Sequence, residues 1–157
     1  MSTLLRYLEF LSLGVWVGGI VFLSFVVAPG AFATLGSRDQ AGAVVGMALG
    51  RLHLLGLVAG LVFLVARVAL AKSLSALGSA AALLVVLMLV LTIVSQYSVS
   101  PQMANLRAEM GSVERTPAES PLRAEFDRLH HWSVRLEASV LLAGLAALFF
   151  VIREKAP

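Results

Sequence analysis

The sequence predicts an all-α fold, an integral membrane up-and-down four-helix bundle, and two observations carry that prediction. Of the 157 residues, 59% are hydrophobic and only 13% are charged, a balance far from that of soluble domains. Four apolar stretches each reach the ~20 residues that a helix needs to cross the hydrocarbon core. Because these stretches occupy nearly the whole chain, we expect a single membrane domain over residues 1–157.

The predicted spans cover residues 4–28, 43–68, 74–97 and 128–152. Arg6 precedes the apolar core of the first span, as a basic residue precedes the apolar core of a signal peptide. This span is longer than the ~7–15 residues of such a core, and further spans follow it. We therefore interpret it as the first membrane helix.

The connections between the spans differ in length. A short segment with Arg67 and Lys72 joins the second and third spans and predicts a tight antiparallel hairpin. Residues 98–127 mix both charge signs with three prolines, which predicts an extracytoplasmic loop with a short helix over residues 102–110.

Basic residues indicate the orientation. Those on the side of the bundle that holds both termini are Arg6, Arg67, Lys72, Arg153 and Lys155. Short loops rich in lysine and arginine stay in the cytoplasm. We therefore expect both termini to be cytoplasmic and the chain to lie in the cell (inner) membrane.

Composition also excludes several functions. The chain has no cysteine, so disulfides, thiolate metal sites and cysteine nucleophiles are excluded. Its formal net charge is +3, and in so apolar a chain this excess is better explained by lipid headgroups than by nucleic acid. The expected partner is the lipid bilayer, with no nucleic acid.

Polar side chains concentrate at one end of the predicted bundle. In an up-and-down arrangement, the end of the first and third spans and the start of the second and fourth lie at the same membrane surface. The unusual polar residues at those ends are Arg51, His53, Thr92, Ser95, Gln96, Tyr97, His130, His131, Ser133, Arg135 and Glu137. The opposite end offers only Tyr7 and Glu9 as comparable features.

Helical spacing separates inward from outward positions, because residues three, four and seven apart share a face. His53 continues a face of glycines, whereas Arg51 points away from it toward the headgroups. The fourth span has one small and polar stripe that contains His130, Ser133 and Glu137. His131 and Arg135 lie off that stripe. In the third span, Thr92 and Gln96 share a face.

Ionisable groups inside a membrane are costly and are usually paired or functional. We therefore expect a site for a Zn or Cu ion with His53, His130 and Glu137 as ligands. The supporting polar residues are Arg51, Thr92, Gln96, Ser133, His131 and Arg135. Two alternatives stay open: hydrogen bonds that only tie the helices together, and a haem b held axially by His53 and His130, which needs a wider gap between helices.

The first span resembles the opening signature of the transmembrane protein 205-like family (domain of unknown function 4149). The residues that match are Trp16, Gly18, Phe22, Phe25, Ala28, Pro29, Phe32 and Leu35. The segments "PQMANLR" and "LHHWSVRLE" resemble two further motifs of that family. A looser similarity in layout extends to copper-resistance membrane proteins of the D type and to HemJ-type oxidases.

Three departures bear on function. Glu137 stands where the family tends to have asparagine, and the segment with Arg51 and His53 replaces a Phe-Pro-x-Tyr-like motif. Glu9 is the residue nearest to the position at which HemJ-type proteins have a histidine, which argues against that oxidase activity. The first two departures fall in the candidate site itself.

These features together predict a non-enzymatic membrane protein that binds a transition-metal ion at its extracytoplasmic end and takes part in metal handling or transport. The alternatives are a structural or accessory membrane protein without a ligand, and a haem-binding membrane protein. Four spans make a thin conduit, so a transport path requires a homo-oligomer or a partner.

Overall fold

The computed structural model describes residues 2–154, and four long helices make up most of them. These are α1 (Ser2–Thr34), α2 (Arg38–Ala71), α3 (Ala80–Met110) and α4 (Pro121–Arg153). Each has the length and hydropathy to cross a membrane, and residues 2–154 contain no strand. The all-α membrane bundle predicted from composition is confirmed.

The helices extend beyond the apolar stretches that predicted them. The short helix predicted over residues 102–110 is present as Ser100–Met110, but it continues α3 without a break, so the irregular part of that connection shrinks to residues 111–120. The third span begins at Ala80 and not at residue 74, because a 3₁₀ turn over Leu74–Gly78 comes first. A count of apolar residues locates the hydrocarbon core, whereas helical hydrogen bonding continues into the polar flanks.

Two prolines shape the helices in which they lie. A π turn over Leu23–Val27 comes two residues before Pro29, and another over Ser95–Val99 comes two residues before Pro101. Proline has no N–H to donate and its ring clashes with the carbonyl four residues earlier. The wider π turn accommodates that defect without ending the helix.

Side-chain caps fix where two helices start. Ser37 accepts a hydrogen bond from the Gln40 N–H at the start of α2, and Ser79 accepts one from the Ala82 N–H at the start of α3. Such caps satisfy N–H groups that lack a partner within the helix. The α2 helix ends at Lys72, whose φ of 52° is left-handed.

The helices pack as a ring in chain order, α1 on α2, α2 on α3, α3 on α4 and α4 on α1. The buried side chains that they share are Leu13, Trp16, Ile20, Phe63, Val85, Met88, Val140, Ala147 and Val151. The Trp16 ring lies against Gly56 and Gly60, where a Cβ atom would collide with it. Close approach of helices at glycine is typical of membrane bundles.

Some glycines lie away from the inward face of the bundle. Gly14 and Gly18 are exposed, and a Cβ added to either would meet nothing within 4 Å. These two glycines lie on the outer surface of the bundle, because the neighbouring Leu13 and Trp16 occupy the inner one.

Candidate functional site

Three side chains from three helices meet at one end of the bundle. His53 Nδ1 lies 2.8 Å from Gln96 Oε1, and His53 Nε2 lies 3.2 Å from Glu137 Oε2. The imidazole is 1% exposed. The structure therefore joins α2, α3 and α4 through a single buried histidine.

Backbone features bring these side chains together. His53 lies one turn before Gly56, on the face of α2 that packs inside the bundle. Gln96 lies in the π turn of α3, and a Cβ on Gly50 would be 3.9 Å from its Oε1. Glu137 has a side chain that is 15% exposed, so it faces the bundle rather than lipid.

The two ring nitrogens of His53 have different partners. Because an amide oxygen only accepts, Nδ1 carries a proton and donates it to Gln96 Oε1. Nε2 and Glu137 Oε2 then share one proton, since two bare acceptors would otherwise face each other at 3.2 Å. The pair can hold a proton, or in its place a cation that accepts lone pairs from nitrogen and oxygen.

His130 does not join this group. It is exposed, and its recorded ring contact is with His131 at a centroid distance of 6.3 Å. Helical spacing predicts that it shares a face with Glu137, but seven residues correspond to a rise of ~10 Å along the axis. The predicted His53, His130 and Glu137 set is therefore not assembled, and residues 2–154 contain no group of three or more His, Asp or Glu that could hold a metal ion.

The haem alternative fares no better geometrically. An axial pair needs two imidazoles that face each other across the haem, whereas His53 is buried inside the bundle and His130 is exposed.

The supporting residues divide into buried and exposed sets. Thr92 and Ser133 are buried at 1% and 8% exposure, whereas Arg51 is exposed as its spacing indicates. The exposed His131 contacts the Asp127 carbonyl through Nδ1 at 2.7 Å. Arg135, also exposed, lies over the Trp132 ring at 5.7 Å.

Two buried hydroxyls lie beside Gln96 without hydrogen-bond partners. Thr92 Oγ1 and Ser95 Oγ are both inaccessible, and neither has a partner within the described residues 2–154. The site that was proposed from the sequence includes Thr92 but omits Ser95. Both residues lie on the helix face that continues from Met88.

A second polar cluster lies at the opposite end and was missed. Arg67 Nη1 donates to Glu9 Oε1 at 3.2 Å, and its Nη2 donates to Ser79 Oγ at 3.1 Å. The Nη2 also pairs with the Glu154 carboxylate. One guanidinium from α2 thus contacts residues of α1 and at the ends of α3 and α4, and so links all four helices.

The interpretation of Arg67 as a loop residue was wrong. It lies inside α2, which continues to Ala71, and is only 8% exposed. The sequence did carry a signal, because Arg67 follows Phe63 by four residues and Glu9 precedes Leu13 by four. Charged residues at those spacings continue the buried stripes of α2 and α1.

The fold and these contacts define a class, a four-helix membrane protein with a buried polar cluster at each end of its bundle. Within that class, residues 11–112 match the family described as Domain of unknown function (DUF4149). The match covers more than half of the chain, so the chain belongs to this family. The matched region includes His53 and Gln96 but ends before α4, so His130 and Glu137 lie outside it.

No curated protein and no solved structure matches the chain.

Proposed function

We propose that this chain is a non-enzymatic membrane protein that takes up a transition-metal ion, Zn or Cu, between His53 and Glu137 as cargo in metal handling. The observation that carries the proposal is that the two ring nitrogens of His53 have different partners, Gln96 and Glu137. Histidines that bind metals usually donate their second ring N–H to a carbonyl or carboxylate. Gln96 Oε1, 2.8 Å from Nδ1, is such an acceptor.

The spacing of the two ligand atoms supports the same proposal. Zinc binds imidazole nitrogen and carboxylate oxygen at ~2.0–2.2 Å, so two ligands at the tetrahedral angle lie roughly 3.3 Å apart. His53 Nε2 and Glu137 Oε2 are separated by 3.2 Å. An ion could therefore replace the shared proton without a large movement of either side chain.

Two protein ligands make a weak and open site. Structural zinc sites have four protein ligands and catalytic ones three, whereas His53 and Glu137 supply two here. The remaining positions would go to water or to a partner's groups. Such a site suits an ion in transit better than a resident ion.

The competing function is that of a structural or accessory membrane protein. It is favoured by the hydrogen bonds of His53, which already tie α2 to α3 and α4 without any ion. In that case His53 and Glu137 stabilise the bundle and have no ligand.

Zinc titration calorimetry on the protein in a neutral detergent separates the two. The parent should bind Zn²⁺, and His53→Gln and Glu137→Gln should each weaken binding by roughly tenfold or more. The matched control is His131→Gln, because His131 is an exposed histidine at the same end. If no saturable zinc binding occurs, or if only the control variant reduces it, the structural function stands.

The expected orientation and assembly belong to the proposal as well. We place both termini in the cytoplasm of a cell (inner) membrane and expect a homo-oligomer for any transport path. The likeness to copper-resistance proteins of the D type is part of the same proposal. Because the chain has no cysteine, single cysteines introduced into the 111–120 connection will report its side through an impermeant thiol reagent.

A further inference from the structure

We infer that the cavity around Arg67 is a binding site for a phosphate group, and that Glu154 occupies it as an internal competitor. A cavity of about 300 Å³ opens at the end of the bundle opposite to His53. Its lining includes Arg6, Glu9, Arg67, Leu70, Ala71 and Ser79. None of these residues takes part in the proposed metal site, so this inference does not rest on the proposed function.

The two carboxylates that contact Arg67 are not equivalent. The Glu9 side chain is fully buried, with 0% exposure, and lies on the inward face of α1. The Glu154 side chain is 35% exposed and follows the last helical residue of α4. Glu9 is therefore a fixed partner, whereas the partly exposed Glu154 side chain can leave the guanidinium by a change of rotamer.

Glu154 also lies in an unfavourable position. The C-terminal end of a helix carries partial negative charge from its unpaired carbonyl groups and disfavours an anion there. The contact with Arg67 offsets this repulsion. An external anion that binds Arg67 would release Glu154 toward solvent and relieve this repulsion. Replacing Glu154 by that anion therefore costs less free energy than breaking an ordinary ion pair.

The charges favour an anion once Glu154 has moved. The charged residues that line the cavity are then Arg6, Arg67 and Glu9, which leaves a net positive charge. Arg6 is exposed at the rim and forms no ion pair within residues 2–154. Arg67 Nη2 stays oriented by Ser79 Oγ at 3.1 Å.

Phosphate is the anion that this arrangement fits best. Its oxygens accept hydrogen bonds from two guanidiniums at once, a geometry in which arginine is preferred over lysine. The cavity lies at a helix end, where lipid headgroups meet the bundle, and its volume accommodates a headgroup. The phosphate could belong to a phospholipid or be free in solution.

Thermal unfolding in dodecyl maltoside, without added phosphate, tests the inference. The parent, Glu154→Gln and the control Glu125→Gln are titrated with inorganic phosphate or with phosphatidic acid in mixed micelles. Glu125 makes an exposed pair with Arg128, so its variant has the same charge change away from the cavity. Glu154→Gln should raise the affinity for one or both phosphate sources by roughly tenfold, whereas Glu125→Gln should match the parent.

A double variant locates the binding. Arg6→Gln in the Glu154→Gln background should reverse most of the gain, because it removes the second guanidinium. A response to phosphatidic acid alone identifies a lipid site, and a response to both identifies a site for phosphate as such. If Glu154→Gln binds neither source more tightly than the parent, or if Arg6→Gln leaves the gain unchanged, the inference is wrong.

Discussion

His53 Nε2 and Glu137 Oε2 lie 3.2 Å apart and join α2 to α4, two helices that are not neighbours in the ring. This pair closes a chain of contacts that starts at Gln96 and passes through an imidazole with 1% exposure. These two atoms form a tie between helices, and in the function proposed above they would be the metal ligands, so variants of Glu137 test both roles.

Glu137→Leu should destabilise the protein by about 1–3 kcal/mol, because it leaves the buried His53 Nε2 without a partner. Glu137→Gln keeps the shape and a hydrogen-bonding group, so its unfolding temperature should stay close to that of the parent. Thermal unfolding of both variants in detergent checks this. Equal stability of Glu137→Leu and the parent would show that Glu137 does not face His53.

Gly56→Ala should cost about 1–3 kcal/mol of stability, because its Cβ would overlap the buried indole of Trp16. The matched control is Gly18→Ala, where a Cβ meets nothing within 4 Å. Alanine has the higher helix propensity, so the control should be neutral or slightly stabilising. Thermal unfolding of the two variants measures the difference. Equal losses of stability in both would contradict the packing of Trp16 on α2.

Arg67→Gln should be among the most damaging single changes, with a loss of about 3–5 kcal/mol, because it removes the buried guanidinium that pairs with Glu9 and Glu154. Adding Glu9→Gln should recover part of that loss in a double-mutant cycle. Arg128→Gln breaks an exposed pair and should change stability by less than ~1 kcal/mol. Additive effects of the Arg67 and Glu9 substitutions would argue against their coupling.

Thr92→Val should leave stability unchanged or increase it, because Thr92 Oγ1 is buried with no partner within residues 2–154 and valine has the same shape. The comparison is with Ser133→Ala, another buried hydroxyl at this end. Chemical unfolding measures both. A clear loss of stability in Thr92→Val would mean that the hydroxyl is hydrogen-bonded in the membrane.

The fold was predictable because span length and hydropathy are properties of the sequence alone. Helix ends were not, since polar residues continue α3 as far as Met110. The facing of His53 and Glu137 followed from spacing of three, four and seven residues. Spacing gives the direction of a side chain but not its height along the bundle axis, and so it grouped His130 with two residues that the structure does not bring to it.

The position of Arg67 was predicted wrongly for a different reason. A basic residue at the end of an apolar run indicates the cytoplasmic side, and that rule takes no account of a partner on another helix. Its ion pairs with Glu9 and Glu154 join residues 58 and 87 positions apart. Only the packing of the four helices into one bundle brings those carboxylates within reach.

X-ray absorption at the zinc edge of the zinc-loaded protein tests the central claim most directly, because its outer-shell scattering counts imidazole ligands. The account predicts one imidazole, that of His53, together with oxygen ligands, and loss of the imidazole signal in His53→Gln. Two imidazoles in the parent, or an unchanged spectrum in His53→Gln, would contradict a site formed by His53 and Glu137.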